Sequence, residues 1–355
     1  MKLFFDARFI RTDFHDGISR YSTELGNALA KKTDVTFIIC EHRQKDFLPA
    51  GAAWIKTSRP TSILEPFLSF RLNKYKPDVV FSPMQTFGSV GRKFKLILTS
   101  HDMIYFRHKT PPHDFNPFIR FGWWLYHLTY IPERITLNHA DLVATVSQTV
   151  KAEFGHTRLT KRPIVVVPNA PQKLAALAGP IKQTRPRNII YMGSFMEYKN
   201  VETLIKGMRW LPGYTLHLLS RISDARRAEL KALAPKGAAI VFHNGVSDTQ
   251  YAQLLANNAV LATASYDEGY GLPIAEALAL GVPAVISDIP IFHEVAGEGA
   301  LYFDPNEPKE FAEQVKVLGS KKQRDTLVAN GKKHIATFSW DTSAQTLLDA
   351  IKTHL

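Results

Sequence analysis

At 355 residues and 45% hydrophobic content, the chain is long enough to bury two separate cores. Its formal charge of +12 is lopsided: residues 1–170 hold 24 Lys and Arg against 14 Asp and Glu, while residues 171–355 hold 20 against 18. A lone cysteine, Cys40, excludes an internal disulfide framework, and no apolar run approaches the ~20 residues of a membrane-spanning helix.

In chain order, the first half predicts strands at Lys2–Phe5, Asp34–Cys40, Ala53–Lys56, Asp78–Ser82, Leu96–Ser100, Leu142–Ser147 and Ile164–Val167. Most are continuous apolar runs, as a parallel sheet covered on both faces requires. Asp6 and Arg8 break the first run too early for a secretory signal, so a reducing cytosol is the expected compartment. Tyr21, Leu25 and Leu29 form a helical stripe after it, and Cys40 reads as a small buried core residue. The stretch 169–187, with Pro168, Pro171, Gly179, Pro180 and Pro186 in or beside it, reads as the domain boundary. The second half predicts strands at Asn188–Met192, Thr215–Leu219, Ala239–Phe242, Ala259–Ala264, Ala284–Ser287 and Leu301–Phe303, with helical patterns between them. The expected fold class is α/β, with two doubly wound Rossmann-like domains, 1–172 and 173–337.

The most informative block is Glu268-Gly269-Tyr270-Gly271-Leu272-Pro273-Ile274-Ala275-Glu276. Pro273 suits the first position of a helix, which would put Glu276 in the opening turn. Unpaired N–H groups and the positive dipole end there suit phosphate oxygens, and Gly269 and Gly271 allow close backbone approach. Carboxylates cannot bind phosphate but can accept hydrogen bonds from hydroxyls beside it. The pattern suits a nucleotide-sugar site, and by spacing alone it suits a capped core helix equally well.

Residues 265–283 resemble the signature block of retaining glycosyltransferases of family 4, with Tyr270 where that family usually has Phe. The resemblance implies the GT-B fold, its two domains facing across a cleft, and a C-terminal helix (338–355) returning to the first domain. It implies that Glu276 holds the ribose hydroxyls and Glu268 the transferred hexose. Tyr191-Met192-Gly193-Ser194 and Lys199-Asn200 are similar to the family's glycine loop and Lys-Asn segment. Lys199 is then expected to stabilise the departing diphosphate, with Gly193 and Ser194 beside it. Asp16-Gly17-Ile18-Ser19 resembles a loop contacting donor phosphates or acceptor, with Ser19 in place of the usual second glycine. His101-Asp102, closing a strand, resembles the family's sugar-contacting histidine, with Asp102 orienting either the imidazole or the loop. Val146-Ser147-Gln148-Thr149 and Val167-Pro168-Asn169-Ala170 also match, as cleft-shaping segments. Glu294 corresponds to a glutamate common in relatives and fits a helix surface equally. The chain lacks an Asp-x-Asp pair and metal-ligand spacing, so neither a metal nor another cofactor is expected.

Between Phe115 and Ile131, aromatic and aliphatic residues crowd around Arg120 and His127. They read either as first-domain core, the preferred reading, or as a peripheral contact with an anionic membrane. Nucleic acid is not an expected partner, for want of any recognition motif. The whole-chain pattern most resembles bacterial mannosyltransferases. It implies a hexosyltransferase, GDP-mannose first and UDP-glucose or another hexose donor behind it, serving a glycan or lipid-linked acceptor. The alternative is a non-catalytic nucleotide-sugar-binding or membrane-recruiting partner in a glycan assembly complex.

Overall fold

A computed structural model describes residues 1–13, 16–111, 117–181 and 184–355. The chain divides into two compact units, Met1–Asn169 with Phe338–Leu355, and Ala170–Thr337. In the first, strands β1 (Leu3–Asp6), β2 (Val35–Ile39), β3 (Ala53–Lys56), β4 (Val79–Ser82), β5 (Lys95–Thr99), β6 (Leu142–Thr145) and β7 (Ile164–Val166) form one parallel sheet. Its order is β3-β2-β1-β4-β5-β6-β7. The second unit arranges β8 (Asn188–Tyr191), β9 (Thr215–Leu218), β10 (Ala239–Phe242), β11 (Ala259–Thr263), β12 (Ala284–Ser287) and β13 (Ala300–Phe303) in a parallel sheet of order β10-β9-β8-β11-β12-β13. The strands lie where the apolar runs place them, because a sheet buried on both faces leaves no polar alternation to obscure them. In each sheet the order reverses once, between β1 and β4 and between β8 and β11. Ligands of open α/β sheets bind where neighbouring strands send their C-terminal loops in opposite directions.

Helix Gly17–Ala30 packs Tyr21, Leu25 and Leu29 onto the first sheet, all fully buried. Helix Trp340–His354 joins this unit after the chain has built the other. Ser339 caps it by accepting from the Thr342 amide, and Ser343 Oγ donates to the Pro168 carbonyl at 2.7 Å. The Tyr21 ring meets Trp340 edge-on at 5.9 Å, so the first and last helices share an aromatic contact.

Two expectations need correction. Cys40 is half-buried rather than core: it follows the end of β2, where its thiol faces the Arg8 carbonyl at 3.8 Å. The aromatic segment does not fill the first core as a whole. Tyr126 and Tyr130 pack against it, but Phe118, Ile119, Phe121, Trp124 and Leu125 are exposed, and Phe115 lies outside the described residues. Helix periodicity reveals an apolar face without revealing whether a partner covers it.

Behind the second sheet, helix Lys321–Ile335 packs against helix Leu272–Leu280 and the turn Gly297–Gly299. A Cβ at Gly299 would stand 2.4 Å from the Gly331 Cα, a backbone atom that cannot rotate away. Gly299→Ala should therefore destabilise the protein by roughly 1–3 kcal/mol, as overpacking does. A denaturant midpoint equal to that of the unmutated chain would show that this contact yields more easily than the backbone geometry requires.

Candidate functional site

In the second unit, the site residues come from the loops that follow β8 and β11, the two strands at the order reversal. Lys199 leaves the β8 loop and Glu268 the β11 loop, and their side chains form a half-buried ion pair. The Tyr266 amide donates to the Tyr198 carbonyl at 2.8 Å, joining the same loops through their backbones. The Tyr198 ring lies 5.1 Å from the Lys199 ammonium, which places the cation between a carboxylate and a π face. Expected to act on different parts of a ligand, Lys199 and Glu268 thus hold one another.

Asn200, which the sequence presents only as part of the Lys-Asn segment with no role of its own, organises the loops. It is buried with φ +49°, a left-handed conformation that asparagine tolerates better than most residues. Its amide donates to the Ala264 carbonyl at 3.1 Å and to the Pro305 carbonyl at 2.7 Å, while Thr203 Oγ1 donates to its side-chain oxygen. One side chain thereby ties together the loops after β8, β11 and β13. Gly193 has a steric reason: an added Cβ would lie 2.9 Å from the Tyr191 hydroxyl, which donates to the carbonyl of the exposed Ser194.

Helix Leu272–Leu280 begins one residue earlier than expected. Pro273 is its second residue, not its first, and Glu276 its fifth, beyond the opening turn. Gly271 precedes it at φ +94°, where a Cβ would be strained and would press on the Phe292 ring at 3.0 Å. Gly271 itself, at the N-cap position, has no side chain with which to cap the helix. Glu276 is buried, and side chains on a helix lean toward its N-terminus. Gly269 and Tyr270 are buried beside it, and Leu272 is half-buried. Burial, with help from the Glu294 carboxylate, pushes the Tyr270 hydroxyl far above its ordinary pKa.

In the first unit, His101 follows β5. Its Nε2 lies 2.7 Å from the carbonyl of Pro83, just after β4, and the Tyr21 ring meets it edge-on at 5.0 Å. Burial holds the imidazole below its ordinary pKa. A neutral ring donating from Nε2 carries its lone pair on Nδ1, which can accept from a hydroxyl. Asp102 accepts from the Ile104 amide at 3.0 Å and so shapes the loop, while the Pro83 carbonyl orients the imidazole. Gly17 is the exposed first residue of its helix rather than part of the loop before it. Asp16 caps that helix by accepting from the Ser19 amide at 2.8 Å, which occupies one of the opening-turn donors, and its other oxygen pairs with Arg11 at 2.7 Å.

Comparison with known proteins bears on the family and the fold. Residues 15–170 match the family model "Glycosyltransferase Family 4" and residues 178–334 match "Glycosyl transferases group 1". The chain belongs to this glycosyltransferase family. It is 25% identical over 349 residues to the O-antigen chain mannosyltransferase RfbU of Salmonella typhimurium, covering 93% of this chain and 94% of the relative. The glycosyltransferase also shares its fold with the solved sucrose-phosphate synthase of Thermosynechococcus elongatus, at TM-score 0.76 and 18% identity, over 99% of this chain and 98% of that one. Anabaena HepE, solved in complex with UDP and glucose, superposes with TM-score 0.71 at 16% identity, over 99% of each chain. The architecture is GT-B, with two doubly wound parallel sheets.

The glycosyltransferase carries a further residue near His101 that no motif signals. Glu133, buried in helix Ile131–His139, accepts from Ser100 Oγ at 2.8 Å, next to His101 in the chain. Burial raises its pKa to about 7, opposed by the Ser100 hydrogen bond and reinforced by Asp102. A carboxyl raised from 4.5 to about 7 binds a proton in the folded state that the unfolded chain has released. Stability from this group is therefore complete below pH ~4.5 and declines as pH rises through ~7, by about 3 kcal/mol in all. Glu133→Gln keeps an acceptor for Ser100 and removes the charge. Its melting temperature should exceed that of the unmutated enzyme by several degrees at pH 8 and match it at pH 5; an offset independent of pH would contradict this.

Proposed function

We propose that the enzyme is a metal-independent, retaining hexosyltransferase that moves mannose from GDP-mannose to a glycan or lipid-linked acceptor. The observation that carries this reading is the Lys199–Glu268 ion pair, with Glu268 four residues before a helix, Leu272–Leu280, whose N-cap is Gly271. A diphosphate flanked by sugar hydroxyls offers each of these groups the partner it needs. Phosphate oxygens take the Lys199 ammonium and the amides around Gly271 and Leu272. Hydroxyls of the hexose donate to Glu268 and those of the ribose to Glu276.

In this reading Lys199 and the helix dipole stabilise the charge that grows on the diphosphate as the glycosidic bond breaks, the role a metal plays in other transferases. The Nδ1 lone pair of His101 accepts from a sugar hydroxyl near the reacting carbon, and Gly17 borders the phosphates or the acceptor. No side chain is assigned as a covalent nucleophile. The acceptor hydroxyl attacks from the face that the diphosphate leaves, and a departing phosphate oxygen takes its proton. The near full-length similarity to an O-antigen chain mannosyltransferase supports mannose as the sugar.

Glu276→Ala and Lys199→Met should each lower kcat by roughly 100- to 1,000-fold with melting behaviour preserved. The assay is nucleotide release across GDP-mannose, UDP-glucose and related donors, with and without EDTA. Proton NMR of the product should show the donor's own anomeric configuration. An inverted centre, or activity abolished by EDTA and restored by a divalent ion, would refute the mechanism. A marked preference for UDP-glucose would replace the donor.

A further inference from the structure

The first unit carries apolar side chains that its own described residues leave exposed. Helix Pro117–Tyr126 places Phe118, Phe121 and Leu125 three or four residues apart, helix Ile131–His139 places Ile131 and Ile135 four apart, and Leu128 lies in the turn between them. Phe118 is 90% exposed, Phe121 63%, Leu125 55%, and Ile131 and Ile135 57% each. The Trp124 ring, also exposed, stacks on Phe121 at 6.1 Å. Scattered exposed apolar residues are ordinary, whereas exposed apolar residues repeated along one helix face, with a stacked aromatic pair, mark a contact surface.

Cations border these side chains. Arg134 and Arg162 share an open cavity of about 570 Å³ with Ile131 and Ile135. The Arg134 guanidinium donates to the carbonyls of Thr157 and Arg158, and Arg162 Nε to the carbonyl of Asn138, so backbone oxygens hold both heads in place. Lys161 stands exposed beside Arg162. Among the described residues of this stretch, the carboxylates are engaged elsewhere: Glu133 is buried against Ser100, Asp141 pairs with Arg92, and Glu153 with Arg107. These cations therefore lack a carboxylate partner in the described part of the face. The +10 balance of residues 1–170 makes the local excess part of a larger field.

We propose that this face docks on an anionic lipid bilayer, with Phe118, Phe121, Trp124 and Leu125 entering the interface and Arg134, Lys161 and Arg162 meeting phosphate headgroups. Apolar groups beside fixed cations match a surface that is apolar inside and anionic at its edge, and tryptophan favours that boundary. A second copy of the chain fits less well, since a two-fold interface would bring the same cations against each other. The proposal goes beyond glycosyl transfer and stands whether or not the donor assignment holds.

Flotation of the full chain tests it, with vesicles of phosphatidylglycerol and phosphatidylcholine in equal parts against phosphatidylcholine alone. Binding to the anionic vesicles at low salt should exceed binding to the neutral ones by at least tenfold and should weaken at 0.5 M NaCl. Lys161→Glu/Arg162→Glu should lower it more than tenfold, as should Phe118→Ser/Phe121→Ser/Trp124→Ser. Both variants alter exposed side chains, and circular dichroism confirms their fold. The idea is overturned by equal affinity for both vesicles, by no binding at low salt, or by folded variants that bind like the unmutated chain. A dimer in light scattering that the triple variant dissolves, with vesicles ignored throughout, would assign the face to self-association instead.

Discussion

Lys199 and Glu268 meet because the second sheet reverses its strand order between β8 and β11. Were the two strands successive turns of one continuous winding, their loops would leave toward the same side and their side chains would not converge. The reversal opens a place where two loops, 69 residues apart in sequence at the ion pair, present opposite charges to each other. The Asn200 amide and the Tyr266–Tyr198 backbone bond then fix those loops independently of any ligand. This arrangement is preorganised: the groups that would meet a ligand are held by bonds that do not have to form during binding.

Much of this was legible in the sequence. Continuous apolar runs such as Leu142–Thr145 and Ala284–Ser287 can only be buried strands when turn signals follow so soon. The glycine-proline block around Gly271 announces a helix start with close backbone approach, and the resemblance to family 4 rests on the same residues. What escaped had no periodic signal. Asn200 works by adopting a backbone conformation and spanning three loops, and Glu133 by lying beside Ser100, 33 residues earlier. Both depend on which loops become neighbours, a property of topology rather than of local pattern.

The segment following residue 116 shows the opposite limit. Its composition is apolar enough for a core, and aromatic clusters usually are core. Its helix turns Tyr126 inward while leaving Phe118, Phe121 and Trp124 outside. The next helix continues this division, burying Glu133 against the His101 loop while Ile131, Arg134 and Ile135 face outward. One short helix therefore connects the loop that holds a candidate catalytic imidazole with the outer surface of its unit.

The resting contact between Lys199 and Glu268 also carries a consequence for selectivity. An ammonium has three N–H donors, so a phosphate that draws Lys199 toward itself weakens, without abolishing, a contact on which the largely sheltered Glu268 carboxylate relies. In the proposed reading, hydroxyls of the transferred sugar strengthen the carboxylate's side of that exchange. Under the proposed reading, the pair therefore favours a ligand that carries phosphate and hydroxyls together over one that carries either alone.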